Sequence, residues 1–520
     1  MKNLLKKPIC LKIVLFFFLI SFYFFSRFQH LTSIPVFADE AIYLRWSQII
    51  KSVETLRFIP LTDGKQPLFM WLTVPFFKLS PDPLISGRAL SIMAGFGSLI
   101  TIFLITALIK NWSSTKQNKH PNPLSYILQT ISTNFYPAIT ASFLYCLIPL
   151  FFFFDRLALA DNLLNMFGLF ALYLSLLQSR FHRFDLSILL GFVLSLAYIT
   201  KSPAIFFIVL SILTTFLINY KQLPNWSKLS ILNLISLIIT LISYNLLRLG
   251  PQFQMIATRN KDYVWKLSEL IQHPLDPLKP HLIDIFHIYN YFLFPVLLLV
   301  LLIFIVFLLL KNKKQLIKPY NLVFLLWWVL PLIANAIFAK VFTARYILYT
   351  LPPLFLLLFQ IFTSVKNKNL SKIVIILLIV FSLSRLYSFS FQPFQLKLPS
   401  TETGYIQDWT SGWGIKASAD YLINQAKNHN VIVGTEGFFG TLPDGLQMYT
   451  NQIPHLTVFG VGVNLEEIPT KLIDAKQHGD DVYLLINQSR LKLLPQDFKK
   501  LETISTYPKP HSPPLLLIKI

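Results

Sequence analysis

The chain has 520 residues, of which 54% are hydrophobic and only 13% charged, with a mean hydropathy of +0.57. Soluble globular chains carry roughly 25% charged residues, so this composition excludes both a disordered chain and an ordinary cytosolic enzyme. The net charge of +22 and the two cysteines, Cys10 and Cys146, each in or beside an apolar run, leave a nucleic-acid binder to be judged by where the cations lie, and exclude a disulfide framework.

A bilayer core needs about 20 apolar residues in helical form. Runs of that kind lie near 9–29, 88–110, 135–154, 160–178, 186–200, 202–219, 229–249, 287–310, 320–339, 345–364 and 371–389. These predict a polytopic α-helical membrane protein of about 11–13 spans. The first run opens with MKNLLKK, shows no small-residue cleavage site, and reads as an uncleaved signal anchor. With the N-terminus inside, the alternate loops 1–8, 110–134, 179–185, 220–228, 311–319 and 365–372 carry seventeen Lys and Arg against one acid, Asp185. That asymmetry is the positive-inside pattern, which predicts a plasma-membrane protein with its N-terminus in and its C-terminus out. It assigns much of the basic excess to topology and removes the nucleic-acid reading. Lipid is the solvent.

Residues 1–390 are thus expected to form the membrane domain, with a first outer loop at 30–66, and 391–520 an extracytoplasmic α/β domain. In the latter, Gly414–Asn428 reads as an amphipathic helix and Pro469–Gln477 as a second, while Val431–Gly434, Val482–Ile486 and Leu515–Ile520 read as strands. No repeat of fixed period stands out, which argues against an inverted-repeat transporter.

Ionisable residues at membrane depth cost about 2.5–3.5 kcal/mol each near the centre and mark functional positions. Here they gather on one side: Asp39 and Glu40, Lys65, Arg88, Asp155 with Arg156 and Asp161, Lys201, and Lys340 with Arg345. Such a mixture suits a substrate with an anionic group at headgroup depth and a neutral polar portion facing water, such as a sugar on a lipid phosphate. Cations would hold the phosphate, and a carboxylate would take the proton of an attacking hydroxyl. Other readings stay open at this level. Asp39 and Glu40 are also compatible with a solvated pair, Asp155 and Asp161 with partners of Arg156, Lys201 with a snorkelling cation, and Arg88 with a structural ion pair. The ten His show no metal-ligand spacing.

The order Asp-Glu, Lys-x-Pro-Leu-x-x-Trp with Gln66 at x, Gly-Arg-Ala-Leu, Arg-x-Ala-x-x-Asp, Thr-Lys-Ser-Pro and Lys-x-x-x-x-Arg-Tyr resembles the membrane glycosyltransferases of the GT-C fold. Within these it is most similar to the protein O-mannosyltransferases and the aminoarabinose transferases. The resemblance covers about residues 30–365. It implies a polyprenyl-phosphate sugar donor and inverting transfer to a hydroxyl acceptor on the outer face, with no nucleotide; a divalent metal is compatible with it but no ligand set is named. It implies Asp39 as general base with Glu40 beside it, Lys65 and Arg345 on the donor phosphate with Lys340 and Lys201 as further candidates, and Arg88, Arg156, Asp161 and Tyr346 around the pocket. Gln66 departs from the family's second Pro, and Trp327-Trp328 is followed by Val329 rather than Asp, unlike oligosaccharyltransferases. The competing classes are a flippase for polyprenyl-linked sugars and a non-catalytic glycan-binding member.

Overall fold

A computed structural model of the chain describes residues 2–110, 112, 122–221, 226–272, 275–293, 318–363, 368–498 and 501–520. The chain opens with helix α1 (Lys2–Phe28), followed by α2 (Ala38–Ser52), the short α3 (Leu68–Phe76) and the long α4 (Pro83–Lys110). Then come α5 (Pro123–Thr133), α6 (Phe135–Cys146), α7 (Pro149–Asp155), α8 (Ala160–Phe181), α9 (Phe184–Thr200), α10 (Ile205–Ile218) and α11 (Trp226–Tyr244). After α12 (Met255–Tyr263), α13 (Leu267–Gln272) and α14 (Leu278–Leu293), the helices Pro319–Phe338, Ala344–Ile347, Leu351–Phe362 and Lys368–Phe391 complete the helical part.

Six of the described helices are long and apolar enough to cross a membrane, and a seventh crossing arises if α6 and α7, bent by 67° at the Leu147–Ile148 break, count as one. At 1.5 Å per residue α4 extends about 42 Å, more than the roughly 30 Å hydrocarbon core. The other apolar runs fold as shorter pieces. α9 and α10 are separate because Lys201 leaves the helix in extended conformation and Pro203 follows. The run at 287–310 continues beyond α14 outside the described residues. The chain is a multi-pass helical membrane protein. α4 and α8 form its centre, with most of their side chains buried, whereas α1 and α11 expose Phe17, Phe18, Phe25, Ile231 and Ile242, the apolar surface that lipid covers.

The first inter-span segment, expected as a loop, contains α2. Its N-terminus is set by Glu40, whose carboxylate accepts from the Phe37 amide at 3.0 Å, and the acids Asp39 and Glu40 in the first turn suit the positive end of the helix.

The C-terminal part holds a five-stranded sheet in the order β2-β1-β3-β5-β4. β1 (Val431–Glu436) runs parallel to β2 (Leu456–Gly462) and β3 (Asp481–Asn487), and β5 (Ser512–Lys519) is antiparallel to both β3 and β4 (Glu502–Lys509). The apolar stretch of β3 is buried throughout because the sheet is covered on both faces. Helices Ile415–Gln425 and Thr470–Gln477 lie where periodicity places them, the first burying Ile415, Ala419 and Leu422. β2 and β4 were not legible as strands. β2 is interrupted by Gly460 and Gly462, and β4 is rich in Thr, Ser and charge at the sheet edge.

Candidate active site

α2, the turn after it, the α9–α10 break, α12 and the 338–346 segment surround one cavity of about 530 Å³. Asp39, in the first turn of α2, is its central carboxylate. Its Oδ1 accepts from Lys65 Nζ at 3.0 Å and its Oδ2 accepts from Arg345 Nη1. Burial alone would raise the Asp39 carboxyl, but the charges of Lys65 and Arg345 outweigh it and hold the group well below the usual carboxylate range. Lys65 reaches Asp39 because the chain turns sharply at Gly64, whose φ is +68°. Arg345 is presented by the short helix that Thr343 caps.

Lys201 also lines the cavity. It does not snorkel. Its Nζ donates to Asp161 Oδ1 at 2.6 Å and lies 5.0 Å from the Tyr346 ring centre. Tyr346 itself lines the wall, whereas Asp161 sits behind Lys201 and touches the cavity only through it.

Five of the residues singled out from sequence lie elsewhere. Glu40 is fully buried and forms a two-bond ion pair with Arg88, Nε and Nη2 each donating over 2.8 Å, and its Oε1 also accepts from the Ala158 amide at 2.6 Å. Arg88 spends its remaining donors on the carbonyls of Leu31, Ile34 and Pro35. This pair fastens α2 to α4 and to the turn before α8, so neither residue reaches the cavity. Arg156 is likewise sealed, donating to the Gln29 and His30 carbonyls and to Ser390 Oγ. Its sequence neighbour Asp155 pairs instead with Arg27 and Tyr23. Lys340 donates to the Lys261 carbonyl at 2.8 Å and lies 4.9 Å from the Trp265 ring centre, which ties α12 to the end of helix Pro319–Phe338.

The sequence reading passed over Asp63, Arg259 and Tyr263, which line the same cavity. Arg259 donates to Asp63 at 3.0 and 2.7 Å, and Asp63 lies 3.6 Å from Lys65 Nζ. The available signals were Asp-Gly-Lys at 63–65 and the polar stretch Arg-Asn-Lys-Asp-Tyr at 259–263 between two apolar runs. Counting Asp161 through Lys201 and Asp262 through Arg259, the four cations Lys65, Lys201, Arg259 and Arg345 meet four carboxylates, Asp39, Asp63, Asp161 and Asp262. Met70, Ile205, Phe206 and Phe338 also line it, so the cavity has both charged and apolar lining. Among the described residues no three His, Cys, Asp or Glu gather as a metal-ligand group.

No family model matches the chain, and no curated protein is similar to it in sequence. Its architecture is similar to that of ArnT from Cupriavidus metallidurans bound to undecaprenyl phosphate, with a TM-score of 0.59 at 11% identity over 98% of this chain and 97% of that one. The apo state of the same protein gives 0.57 at 11% identity, over 99% and 98%. The chain has the GT-C fold. The likeness extends over both the helical part and the sheet.

Proposed function

We propose that the protein is a membrane glycosyltransferase that moves a sugar from a polyprenyl phosphate to an acceptor hydroxyl. The observation that carries this reading is the placement of Asp39 between Lys65 and Arg345 in a cavity with an apolar wall. Lys65 and Arg345, flanking one carboxylate, suit the negative charge of a phosphodiester, and the apolar lining suits the prenyl chain leading from it. The solved ArnT with undecaprenyl phosphate in the same fold supports the ligand class.

In the reaction, the donor phosphate draws Lys65 and Arg345 toward its oxygens. Asp39 then loses part of its counter-charge and becomes a better base. It takes the proton of the acceptor O–H as that oxygen bonds to the anomeric carbon, with inversion, and the bond from carbon to phosphate oxygen breaks. The lipid phosphate leaves with a second negative charge, which Lys65, Arg345 and Lys201 stabilise more strongly than they did the diester. Direct displacement needs no nucleotide. The positive-inside pattern supports an outer-face cavity with the N-terminus inside, residues 1–390 as the membrane catalytic domain and 391–520 outside it.

The test is incubation of purified protein with a panel of polyprenyl-phosphate sugars and mass spectrometry of the lipid products. The expected result is acceptor-dependent release of lipid phosphate from one donor. Movement of intact labelled donor across vesicles without release would replace the transferase with a flippase.

A further inference from the structure

The residues that flank the site are held by a segment far away in the chain. Residues 399–412 connect the last helix to the α/β unit and touch both halves of the cavity rim. On one side they pair with the segment before α2. The Ala38 amide donates to the Thr410 carbonyl at 3.1 Å, the Gly412 amide donates to the Val36 carbonyl at 2.8 Å, and Phe37 and Ser411 form an antiparallel bridge. Asp39 is the next residue after Ala38. A Cβ on Gly412 would stand 2.4 Å from Val36 Cγ1, so this approach requires glycine.

On the other side Glu402, 1% exposed, accepts the Ala344 amide on Oε1 at 2.7 Å. Arg345 follows immediately. The same segment is anchored to the sheet by Lys509, whose Nζ donates to the Asp408 carbonyl at 2.9 Å, the Ser411 carbonyl at 2.6 Å and Asn487 Oδ1 at 2.6 Å. Asn487 is in turn held by the Glu436 carboxylate through its amide at 2.8 Å and its side chain at 2.7 Å.

We propose that residues 399–412 are a strap through which the α/β unit holds Asp39 and Arg345 face to face, with Glu402 as the positioning residue for Arg345. This rests on the transferase reading only for its catalytic consequence. The groups facing Glu402 are the Ala344 amide, the Thr343 and Thr401 side chains, Arg345 and Tyr405. Nothing else among the described residues accepts the Ala344 amide, so truncating Glu402 frees the turn that aims the guanidinium. The strap also gives the α/β unit a direct route to the chemistry, because displacement of Lys509 or Asn487 would reach Asp39 through two backbone hydrogen bonds.

The test is hydrogen exchange by mass spectrometry on the full chain in lipid nanodiscs, with undecaprenyl phosphate affinity measured in parallel. In Glu402→Ala the peptide covering 343–346 should exchange at least tenfold faster and the apparent Kd for undecaprenyl phosphate should rise at least threefold. Glu402→Gln, which keeps the acceptor oxygen, should stay within twofold of wild type in both. If Glu402→Ala fails to accumulate, Glu402→Asp, one methylene short of the amide, takes its place with the same expectation. Unchanged exchange at 343–346 overturns the strap, and equal losses in Glu402→Gln and Glu402→Ala overturn the role of the acceptor oxygen. If exchange responds as expected while wild-type protein releases no lipid phosphate from any donor, the strap stands and the transferase reading falls.

Discussion

Arg345 and Asp39 stand 306 positions apart and meet side chain to side chain, the guanidinium Nη1 donating directly to the carboxylate Oδ2. Lys65 closes the other oxygen of the same carboxylate. The base of the proposed reaction is therefore paired with the very groups that are to hold the phosphate.

Asp39→Asn keeps the shape of the side chain and removes the charge. Release of lipid phosphate per folded molecule should fall by about 10²–10⁴-fold, with a moderate loss of thermal stability because Lys65 and Arg345 lose their shared counter-charge. Retained turnover in this variant would remove Asp39 from the role of base.

Lys65→Ala and Arg345→Ala each delete a charge-assisted contact to the donor. Such bonds contribute about 1.5–3 kcal/mol, so the donor KM should rise by about 10- to 100-fold while the acceptor KM changes much less. Steady-state kinetics with each substrate varied in turn checks the split, and an unchanged donor KM in both variants places the phosphate elsewhere.

Arg88→Met leaves Glu40 buried without its partner. Removing one member of a buried pair costs about 3–5 kcal/mol, so this variant should unfold at lower temperature and accumulate poorly. Asp39→Asn should lose less, because the Asp39 side chain is 16% exposed whereas Arg88 and Glu40 are sealed, and that difference separates the neighbours Asp39 and Glu40 into a site residue and a fastening residue.

Gly64→Ala tests the turn that carries Lys65. The residue has φ +68°, and an added Cβ would meet Arg259 Cβ and the Met255 carbonyl oxygen at 2.7 Å. The left-handed conformation costs a side chain about 1–2 kcal/mol, and α12 must also retreat. Donor KM should rise several-fold because both Lys65 and Arg259 shift; a wild-type KM would show that the turn tolerates the methyl.

Burial pushes the Glu402 carboxyl up to about 7 from its ordinary 4.5, against the pull of the Ala344 amide and Arg345. Below about pH 4.5 this acid is protonated in both folded and unfolded chains. Between there and about pH 7 the unfolded chain gives up the proton first, so folded stability falls as pH rises through that window. Glu402→Gln lacks this term. The Tm of the variant relative to wild type should therefore climb from pH 5 to pH 8, and a gap independent of pH would show that Glu402 does not titrate in this way.

The apolar runs, the Lys and Arg asymmetry of the loops and the strands β1, β3 and β5 were legible in the sequence. Each is a local consequence of solvent, since a span must be apolar over its own length and a buried strand over its own six to eight residues. The order of the charged motifs was legible for the same reason. Which charges share a cavity was decided only by tertiary packing. Asp155 pairs with Arg27, 128 positions away, rather than with adjacent Arg156. Glu40 turns into the α2–α4 interface while Asp39, one residue earlier, faces the cavity, because successive helical residues point about 100° apart. Arg259 and Asp63 join the site only because α12 folds back over the 59–65 turn. Ion-pair choice depends on which helices become neighbours, and no window along the chain contains that information.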